Sequence, residues 1–328
     1  MVEAAANSIA LRTGRSMPKL GLGLWKVPKD VCAETVYNAI ANGYRLLDGA
    51  CDYGNEVEVG QGIKKAIDEG LVTRADLFIT TKLWNTFHRP EHVKPACQRS
   101  MTDLGIDYID LYLIHFPIHL KYVPFEEKYP PEWKNPTADK LILDTGVTYQ
   151  QTYQAMEQLV EEGLVRDIGV SNVATSLLQE IMNFSTIKPA VLQVELHPYL
   201  SQQNLLKFCR INDIAVTAYS SFGGASWIEL GASTQEETPM MDAVISEIAS
   251  RHSKTAAQVC LKWAVQRNTA VIPKSTKVER LVENGALFDW ELTAEDMAAV
   301  DGLNRNKRYN DPGLYSEPGF GTFVPIFD

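Results

Sequence analysis

Short, nearly unbroken apolar segments recur along the chain, and most are followed by a stretch with helical periodicity. Strands buried on both faces of a parallel sheet have this pattern, and the helices between them supply the crossovers. Eight such segments are present, the number that closes an α/β (β/α)8 TIM barrel. The predicted strands are LGLGLW (20–25), YRLLDGA (44–50), LFITTKL (77–83), IDLYLIHFP (109–117), RDIGVSN (166–172), AVLQVEL (190–196), IAVTAYSS (214–221) and TAVIPKS (269–275).

The segments between the strands place apolar residues on one helical face. AETVYNAIANG has Val36 and Ile40 at helical spacing and stops at Gly43, and TYQQTYQAMEQLVEEG stops at Gly163. TPMMDAVISEIASRHS (238–253) and TAAQVCLKWAVQRN (255–268) predict two further helices. An open doubly wound sheet is the competing architecture. It should carry G-x-G-x-x-G after its first strand, but GLGLWK has Lys26 in place of the third glycine.

Polar residues stand at the ends of the predicted strands. In a barrel these ends meet on one face, where such folds hold their sites. The alternative is that strand ends simply turn polar where they reach water, which explains a Lys, a His and an Asp converging together less well. The residues are Asp48, Lys82, His115, Ser171, Asn172, Gln193, Tyr219 and Lys274.

Two segments are too long to be ordinary connections, 116–148 and 222–240. Both follow strands, so we expect them over the site face as lids or specificity loops. The tail NDPGLYSEPGFGTFVPIFD contains more Phe and Tyr than a disordered tail usually does. We therefore expect it to pack over the barrel mouth.

Composition narrows the classes of function. The 328 residues are 45% hydrophobic and 22% charged, and we expect a single barrel domain over 1–328. No apolar run is long enough to span a membrane, and the start lacks the order of a signal peptide. Five scattered cysteines favour reduced thiols in a cytoplasmic protein. The net charge of −10 argues against nucleic acid or membrane as a partner.

Candidate chemistry centres on LLDGACDYGNE (46–56). Tyr53 can donate a proton, and a cation at Lys82 is expected to lower its pKa. Asp48 could hold Lys82 charged and oriented, and His115 could hydrogen-bond the oxygen that is protonated. This set fits reduction of a carbonyl, and no serine or cysteine nucleophile with a paired base is evident. A metal site is not expected, and Cys51 is expected to shape the turn.

A second candidate site is IPKSTKVERLVEN, which contains Lys274, Lys277 and Arg280. Three cations, two hydroxyls and a helix N-terminus suit a terminal phosphate on a dinucleotide. The alternative is a solvated helix start with ordinary surface lysines.

The segments LLDGACDYGNE, TTKLWN, LIHFP, IGVSN, QVELHPYL, TAYSSFG and IPKS, in this order and spacing, resemble the aldo-keto reductases over almost the whole chain. LDGACDYGNE, VTAYSSFG and the terminal NDP are most similar to the fungal-type xylose (aldose) reductases of that family. The resemblance implies extended binding of NADPH, with NADH possible, and hydride transfer to an aldehyde. Tyr53 would be the proton donor, supported by Lys82 and Asp48, with His115 orienting the carbonyl.

The resemblance also implies the residues that hold the ligands. The nicotinamide side would be held by Ser171, Asn172, Gln193 and Tyr219, the pyrophosphate and ribose by Ser220, Phe222 and Glu229, and the adenosine phosphate by Lys274, Ser275, Thr276, Arg280, Glu283 and Asn284. The sugar pocket would be lined by Trp25, Asp52, Trp84, His115, Phe116 and Asn310. Thr276 and Glu283 depart from some relatives, which carry asparagine and glutamine, so strict NADPH selectivity is not implied.

The leading hypothesis is NADPH-preferring reduction of an aldose, D-xylose to xylitol. L-arabinose, a ketone or a general aldehyde is the first alternative, because one inverted hydroxyl changes binding little. A nucleotide-binding auxiliary subunit with little turnover is the second, and the intact set of Asp48, Tyr53, Lys82 and His115 argues against it. Fungal relatives favour a homodimer.

Overall fold

The computed structural model describes residues 7–327, which contain ten strands. Eight of them form one parallel sheet in sequence order, and the other two form an antiparallel hairpin ahead of it. The strands are β1 Ser8–Ala10, β2 Ser16–Pro18, β3 Gly21–Gly23, β4 Leu46–Asp48, β5 Phe78–Leu83, β6 Ile109–Ile114, β7 Val165–Ser171, β8 Val191–Glu195, β9 Ala215–Tyr219 and β10 Thr269–Val271.

The eight-stranded sheet closes on itself. The strands from β3 to β10 each pair with the next in parallel register, and a parallel bridge joins Leu20 to Val271 across the remaining gap. The Val271 amide donates to the Lys19 carbonyl at 2.8 Å, and the Gly23 amide to the Pro273 carbonyl at 3.3 Å. The predicted (β/α)8 barrel is therefore confirmed. Some strands are shorter than predicted, because β3 and β10 keep ladder pairing for only three residues each.

Eleven α-helices lie among residues 7–327. They are α1 Lys29–Ala41, α2 Glu56–Asp68, α3 Pro90–Leu104, α4 Tyr149–Glu161, α5 Thr175–Phe184, α6 Gln203–Ile211, α7 Ala243–His252, α8 Ala256–Gln266, α9 Val278–Gly285, α10 Ala294–Asp301 and α11 Pro312–Phe320. None of the helices in this part of the chain is long and apolar enough to cross a membrane.

The helix ends follow from local sequence. Gly43 and Gly163 adopt φ of 90° and 75° just beyond α1 and α4, a conformation that glycine allows without a steric cost. The helix predicted from 238 begins later, at Ala243. Asp242 caps it by accepting from the Val244 amide at 3.0 Å, and Pro239 starts a separate 3₁₀ turn.

The hairpin of β1 and β2 was not predicted from the sequence. Ile9, Leu11 and Met17 from this region are buried against inward-facing residues of the barrel strands, such as Leu46 and Leu111. It therefore contributes apolar side chains to the same core cluster as the strands. The Arg15 guanidinium ties this segment to β7, since its Nε lies 2.9 Å from Asp167.

The long segment after β6, the loop after β9 and the tail pack together. Trp133 stacks on Phe320 of α11 with ring centroids 5.5 Å apart, and Trp227 stacks on Tyr315 at 6.2 Å. Trp133 also contacts Trp84, which follows β5 at the carboxyl end of the barrel. These contacts place all three segments over that end, as the lengths and composition predicted.

Candidate active site

The turn that carries Tyr53 follows β4 and is fixed by hydrogen bonds to the first barrel connection. Residues Cys51–Tyr53 form one 3₁₀ turn, and Gly54 ends it with φ of 72°. The buried Asn55 donates from Nδ2 to the carbonyls of Leu24 and Val27, at 3.0 and 3.1 Å. The turn is thereby held at the mouth, where Tyr53 points at β5.

Lys82 lies at the centre of a compact polar group. Its Nζ donates to Asp48 Oδ1 at 2.6 Å, to the Gly49 carbonyl at 2.8 Å and to the Tyr53 hydroxyl at 3.2 Å. Lys82 and Asp48 are both buried, so the ion pair is shielded from solvent. All three donor hydrogens of the ammonium group have an acceptor, which fixes its position relative to the tyrosine oxygen.

The pKa of Tyr53 is raised well above its usual value, mainly because burial disfavours the phenolate and because Asp48 and Asp52 repel it. The expectation that Lys82 would lower this pKa is therefore wrong here. The physical reason is that burial removes the solvation of the phenolate, and that the Asp48 carboxylate, 2.6 Å from the Lys82 ammonium, offsets the attraction of that cation. Tyr53 consequently keeps its proton at neutral pH, as a proton donor requires.

His115 immediately follows β6 and is enclosed by aromatic rings. Trp84 meets it edge to face at 5.3 Å, Phe116 stacks at 4.9 Å, and Tyr53 lies edge to face at 5.9 Å between ring centroids. His115 Nδ1 lies 3.0 Å from Asp52 Oδ1. The imidazole and the Tyr53 phenol therefore border the same space.

A chain of hydrogen bonds crosses the mouth from the tail to His115. The Tyr315 hydroxyl donates to Asn310 Oδ1 at 2.9 Å, and Asn310 Nδ2 donates to the Tyr219 hydroxyl at 2.9 Å. Tyr219 in turn donates to Asn172 Oδ1 at 2.5 Å, and Asn172 Nδ2 donates to the His115 carbonyl at 2.9 Å. Two residues expected to hold nicotinamide, Asn172 and Tyr219, are thus connected to Asn310, which was expected to bind sugar.

Two other residues expected to hold the nicotinamide, Ser171 and Gln193, already form hydrogen bonds within the protein. Gln193 Nε2 donates to Asp48 Oδ2 at 2.6 Å, and the Ser171 hydroxyl donates to the Gln193 carbonyl at 2.8 Å. Asn172 and Ser220 have φ of 59° and 50°, an uncommon conformation for residues other than glycine. Such outliers are often retained at ligand sites.

The cations of the second candidate site remain together at the start of α9. Lys274, Lys277 and Arg280 are exposed, and within residues 7–327 none of them forms an ion pair. Ser275 is buried and accepts from the Lys277 amide at 3.1 Å, while Thr276 is exposed. Unpaired cations beside a helix N-terminus fit a phosphate group.

The acidic residue of this region is held by a neighbouring helix. Glu283 Oε1 accepts from the Thr255 hydroxyl at 2.8 Å, and Asn284 is buried beside it in the chain. This contact fixes the Glu283 carboxylate beside the N-terminus of α8.

The loop after β9 carries the residues expected near the pyrophosphate. Ser220 directly follows β9, and Phe222 precedes a 3₁₀ helix over Gly223–Leu230. Lys26, in the segment after β3, contacts this helix: its Nζ donates to the Ser226 carbonyl at 2.6 Å and lies 3.5 Å from Glu229. The loop is therefore tied to the segment after β3, two strands away around the barrel.

The apolar walls of the mouth include residues that the sequence did not single out. Trp25, Trp84 and Phe116 were expected there, and each contacts an aromatic residue from a covering segment. Trp25 lies 5.5 Å from Trp227, and Trp133 lies 4.9 Å from Trp84 and 5.0 Å from Phe116 between ring centroids. The aromatic content of the loops and tail was the available signal, but only the folded chain shows which rings meet.

Glu195 is another residue that sequence reasoning missed. It is completely buried at the end of β8, and its carboxylate accepts from the backbone amides of Tyr309 and Asn310, at 3.0 and 2.8 Å. His197 Nε2 lies 2.9 Å from the same carboxylate. Glu195 thus fixes the segment that presents Asn310, and QVELHPYL gave no indication of this partner.

A buried acid lies directly behind the Tyr53 turn. Glu56 accepts from the hydroxyls of Thr81 and Ser100, at 2.6 and 3.0 Å, and lies 3.4 Å from the Tyr129 hydroxyl. Burial raises its pKa from 4.5 to about 7, although the two hydroxyl donors oppose the shift. The acid connects α2, β5, α3 and the long loop after β6.

The arrangement can donate a proton to an oxygen held near His115. In this geometry Tyr53 can supply the proton, Lys82 can stabilise the charge that would then develop on its oxygen, and the aromatic walls limit the access of water. No group of three or more His, Cys, Asp or Glu side chains in residues 7–327 is arranged to hold a metal ion.

Comparison with known proteins agrees with this geometry. The sequence profile of the aldo/keto reductase family matches residues 19–305. The chain is 49% identical over 326 residues to an NADPH-dependent aldose reductase of Saccharomyces cerevisiae, covering 97% of this chain and 100% of that protein. It is 47% identical over 326 residues to a probable NAD(P)H-dependent D-xylose reductase of Aspergillus niger, covering 98% of this chain and 100% of that protein. It is 50% identical over 307 residues to a probable NAD(P)H-dependent D-xylose reductase of Aspergillus fumigatus, covering 93% of this chain and 97% of that protein. The chain belongs to the aldo/keto reductase family.

Proposed function

We propose that this protein is an NADPH-preferring reductase of aldose sugars that converts D-xylose to xylitol. The observation that carries the proposal is the buried Lys82 ammonium, 2.6 Å from Asp48 and 3.2 Å from the Tyr53 hydroxyl. The near full-length similarity to aldose and D-xylose reductases supports the choice of substrate.

Protonation is the step that the chain's own residues perform. A nicotinamide cofactor held at the barrel mouth would supply the hydride for the aldehyde carbon, and the chain's own residues would supply the proton for the carbonyl oxygen. Tyr53 gives its phenolic proton to that oxygen, and Lys82 stabilises the tyrosinate that remains. His115 hydrogen-bonds the same oxygen and holds the carbonyl in line with Tyr53.

The cofactor would be held at two places. Ser171, Asn172 and Gln193 keep unused hydrogen-bonding capacity for a carboxamide, and the Tyr219 ring offers a flat face beside them. At the other end, Lys274 and Arg280 provide positive charge for the adenosine phosphate, with Ser275, Thr276 and Asn284 nearby in the chain. The loop tied by Lys26 to Ser226 and Glu229 would cover the stretch between them.

The sugar would lie between apolar walls and a few polar groups. A pentose is mostly cyclic in water, so the enzyme must capture the scarce open aldehyde. Asp52 and Asn310 would hydrogen-bond sugar hydroxyls, and Trp25, Trp84 and Phe116 would exclude water from the reacting carbon.

Two copies of the chain would form a homodimer, which sedimentation equilibrium can test.

The experiment that tests this function is a steady-state panel of D-xylose, L-arabinose and glyceraldehyde, each with NADPH and with NADH. We expect xylose-dependent oxidation of NADPH, with a higher kcat/KM for NADPH than for NADH. A protein that reduces small aromatic aldehydes well but does not turn over xylose would contradict the sugar assignment and favour a general aldehyde reductase.

A further inference from the structure

A buried nitrogen of His115, Nδ1, lies beside a buried oxygen of Asp52, Oδ1. His115 Nδ1 and Asp52 Oδ1 lie 3.0 Å apart, yet the ring N–H direction does not meet the oxygen at a hydrogen-bond angle. Neither atom has another hydrogen-bond partner within residues 7–327. Buried polar groups are almost always paired, so these two atoms call for a physical account.

The other neighbours of the imidazole cannot decide where its proton sits. Trp84, Phe116 and Tyr53 contact the ring through their aromatic faces and edges, with centroids 4.9 to 5.9 Å away. Such contacts fix the plane of the ring but do not distinguish Nδ1 from Nε2. Asp52 is the acceptor that the structure places beside Nδ1.

We propose that Asp52 is a positioning residue for His115: its carboxylate accepts a hydrogen bond from Nδ1 and thereby sets the orientation and protonation pattern of the ring. The inference rests on the proposed function, in which His115 orients the carbonyl. Hydrogen bonds at catalytic groups are often poorly aligned before substrate binds, and a small rotation aligns atoms already 3.0 Å apart.

This contact has a chemical consequence at Nε2. A neutral imidazole carries one proton, so a proton kept on Nδ1 leaves Nε2 as an acceptor. With the Asp52 carboxylate as its counter-ion the ring can hold a second proton, so that Nδ1 donates to Asp52 while Nε2 donates to the carbonyl oxygen, as the proposed role of His115 requires. Asp52 would use Oδ1 for His115 and leave Oδ2 for a sugar hydroxyl.

The two roles of Asp52 separate when the substrate has no hydroxyl groups. Propanal offers an aldehyde alone, so loss of a sugar contact cannot affect it. We expect Asp52→Ala and the isosteric Asp52→Asn to lower kcat/KM for propanal by about tenfold or more, as removal of a group that orients a histidine does in metal sites. In a His115→Ala background the same two changes at Asp52 should alter kcat/KM for propanal by less than about twofold. If Asp52 acts through His115, the effects of the two mutations are not additive.

A second measurement, imidazole ¹⁵N NMR of His115, does not require the protein to turn over a substrate. Imidazole ¹⁵N shifts of His115 should show a protonated Nδ1 in the wild-type protein and a different pattern in Asp52→Asn. Asp139→Asn is a matched control, since this exposed acid lies in a covering loop at φ of 49°, a conformation that asparagine tolerates. It should alter neither the shifts nor the kinetics.

The outcomes distinguish this inference from the proposed function. If Asp52→Ala lowers kcat/KM for xylose alone and leaves propanal unchanged, Asp52 is only a sugar ligand and the inference is wrong. If the wild-type protein reduces neither substrate, the proposed function fails, and unchanged ¹⁵N shifts in Asp52→Asn would separately overturn the inference.

Discussion

The side-chain amide of Asn310 donates to the hydroxyl of Tyr219 across 2.9 Å, joining residues 91 positions apart. The same amide accepts from Tyr315, and the Asn310 backbone is held by Glu195. The C-terminal segment is therefore connected to a ring proposed to face the nicotinamide. Asn310 has a structural task in addition to its proposed contact with sugar.

Asn310→Ala should weaken NADPH binding as well as sugar binding. A neutral hydrogen bond contributes about 1 kcal/mol, so we expect the Kd for NADPH to rise about fivefold as the Tyr219 hydroxyl loses the hydrogen bond from Asn310. Fluorescence titration measures this Kd directly. Asn183→Ala, on the exposed face of α5, controls for the loss of an amide. An unchanged Kd together with a higher KM for xylose would show that Asn310 acts on sugar alone.

Arg280→Ala should reduce the preference for NADPH over NADH. A charge-assisted hydrogen bond contributes about 1.5–3 kcal/mol, which corresponds to a Kd for NADPH that is about 10- to 100-fold higher. NADH lacks the additional phosphate that NADPH carries on its adenosine ribose, so its Kd should change by less than about threefold. The comparison requires titration with both cofactors, and Arg210→Ala on α6 is the control for an exposed arginine. Equal losses for both cofactors would rule out a phosphate contact.

Glu56→Gln should stabilise the protein increasingly as the pH rises. The folded-state pKa of Glu56 is about 7 against 4.5 for the free side chain, so the folded protein binds its proton more tightly. The stability that this proton contributes is fully present below about pH 4.5 and is lost as the pH rises through about 7. At 1.36 kcal/mol per pKa unit, the variant should gain up to about 3 kcal/mol over wild type across that window.

Urea unfolding at several pH values between 4 and 8 measures this difference in the free energy of unfolding. Glu180→Gln on α5 corrects for the loss of one acidic charge. A difference between Glu56→Gln and wild type that does not change with pH would mean that Glu56 titrates normally in the folded protein.

The barrel could be predicted from the sequence because its strands are buried on both faces and therefore read as continuous apolar runs. The same argument placed Asp48, Lys82 and His115 on one face, since parallel strands present their carboxyl ends together. The hairpin of β1 and β2 could not be predicted in this way. Its strands have three residues each, too few to show an alternating pattern.

Contacts between segments far apart in the chain could not be predicted from the sequence, for a different reason. The pairing of Glu195 with the Asn310 amide joins positions 115 apart and depends on how the tail folds back over the mouth. The direction in which the pKa of Tyr53 is shifted could not be predicted from the sequence either. It depends first on the burial of the phenol and then on the nearby carboxylates of Asp48 and Asp52, and local sequence does not reveal how deeply the folded chain buries this ring.

The central claim is that Tyr53 donates the proton in the reduction of an aldose, and Tyr53→Phe tests it most directly. The phenyl ring keeps the shape of the turn but lacks the hydroxyl that is proposed to give up the proton. We predict that xylose-dependent NADPH oxidation falls by at least about a hundredfold while the Kd for NADPH stays within about threefold of wild type. Wild-type turnover in Tyr53→Phe would contradict the account.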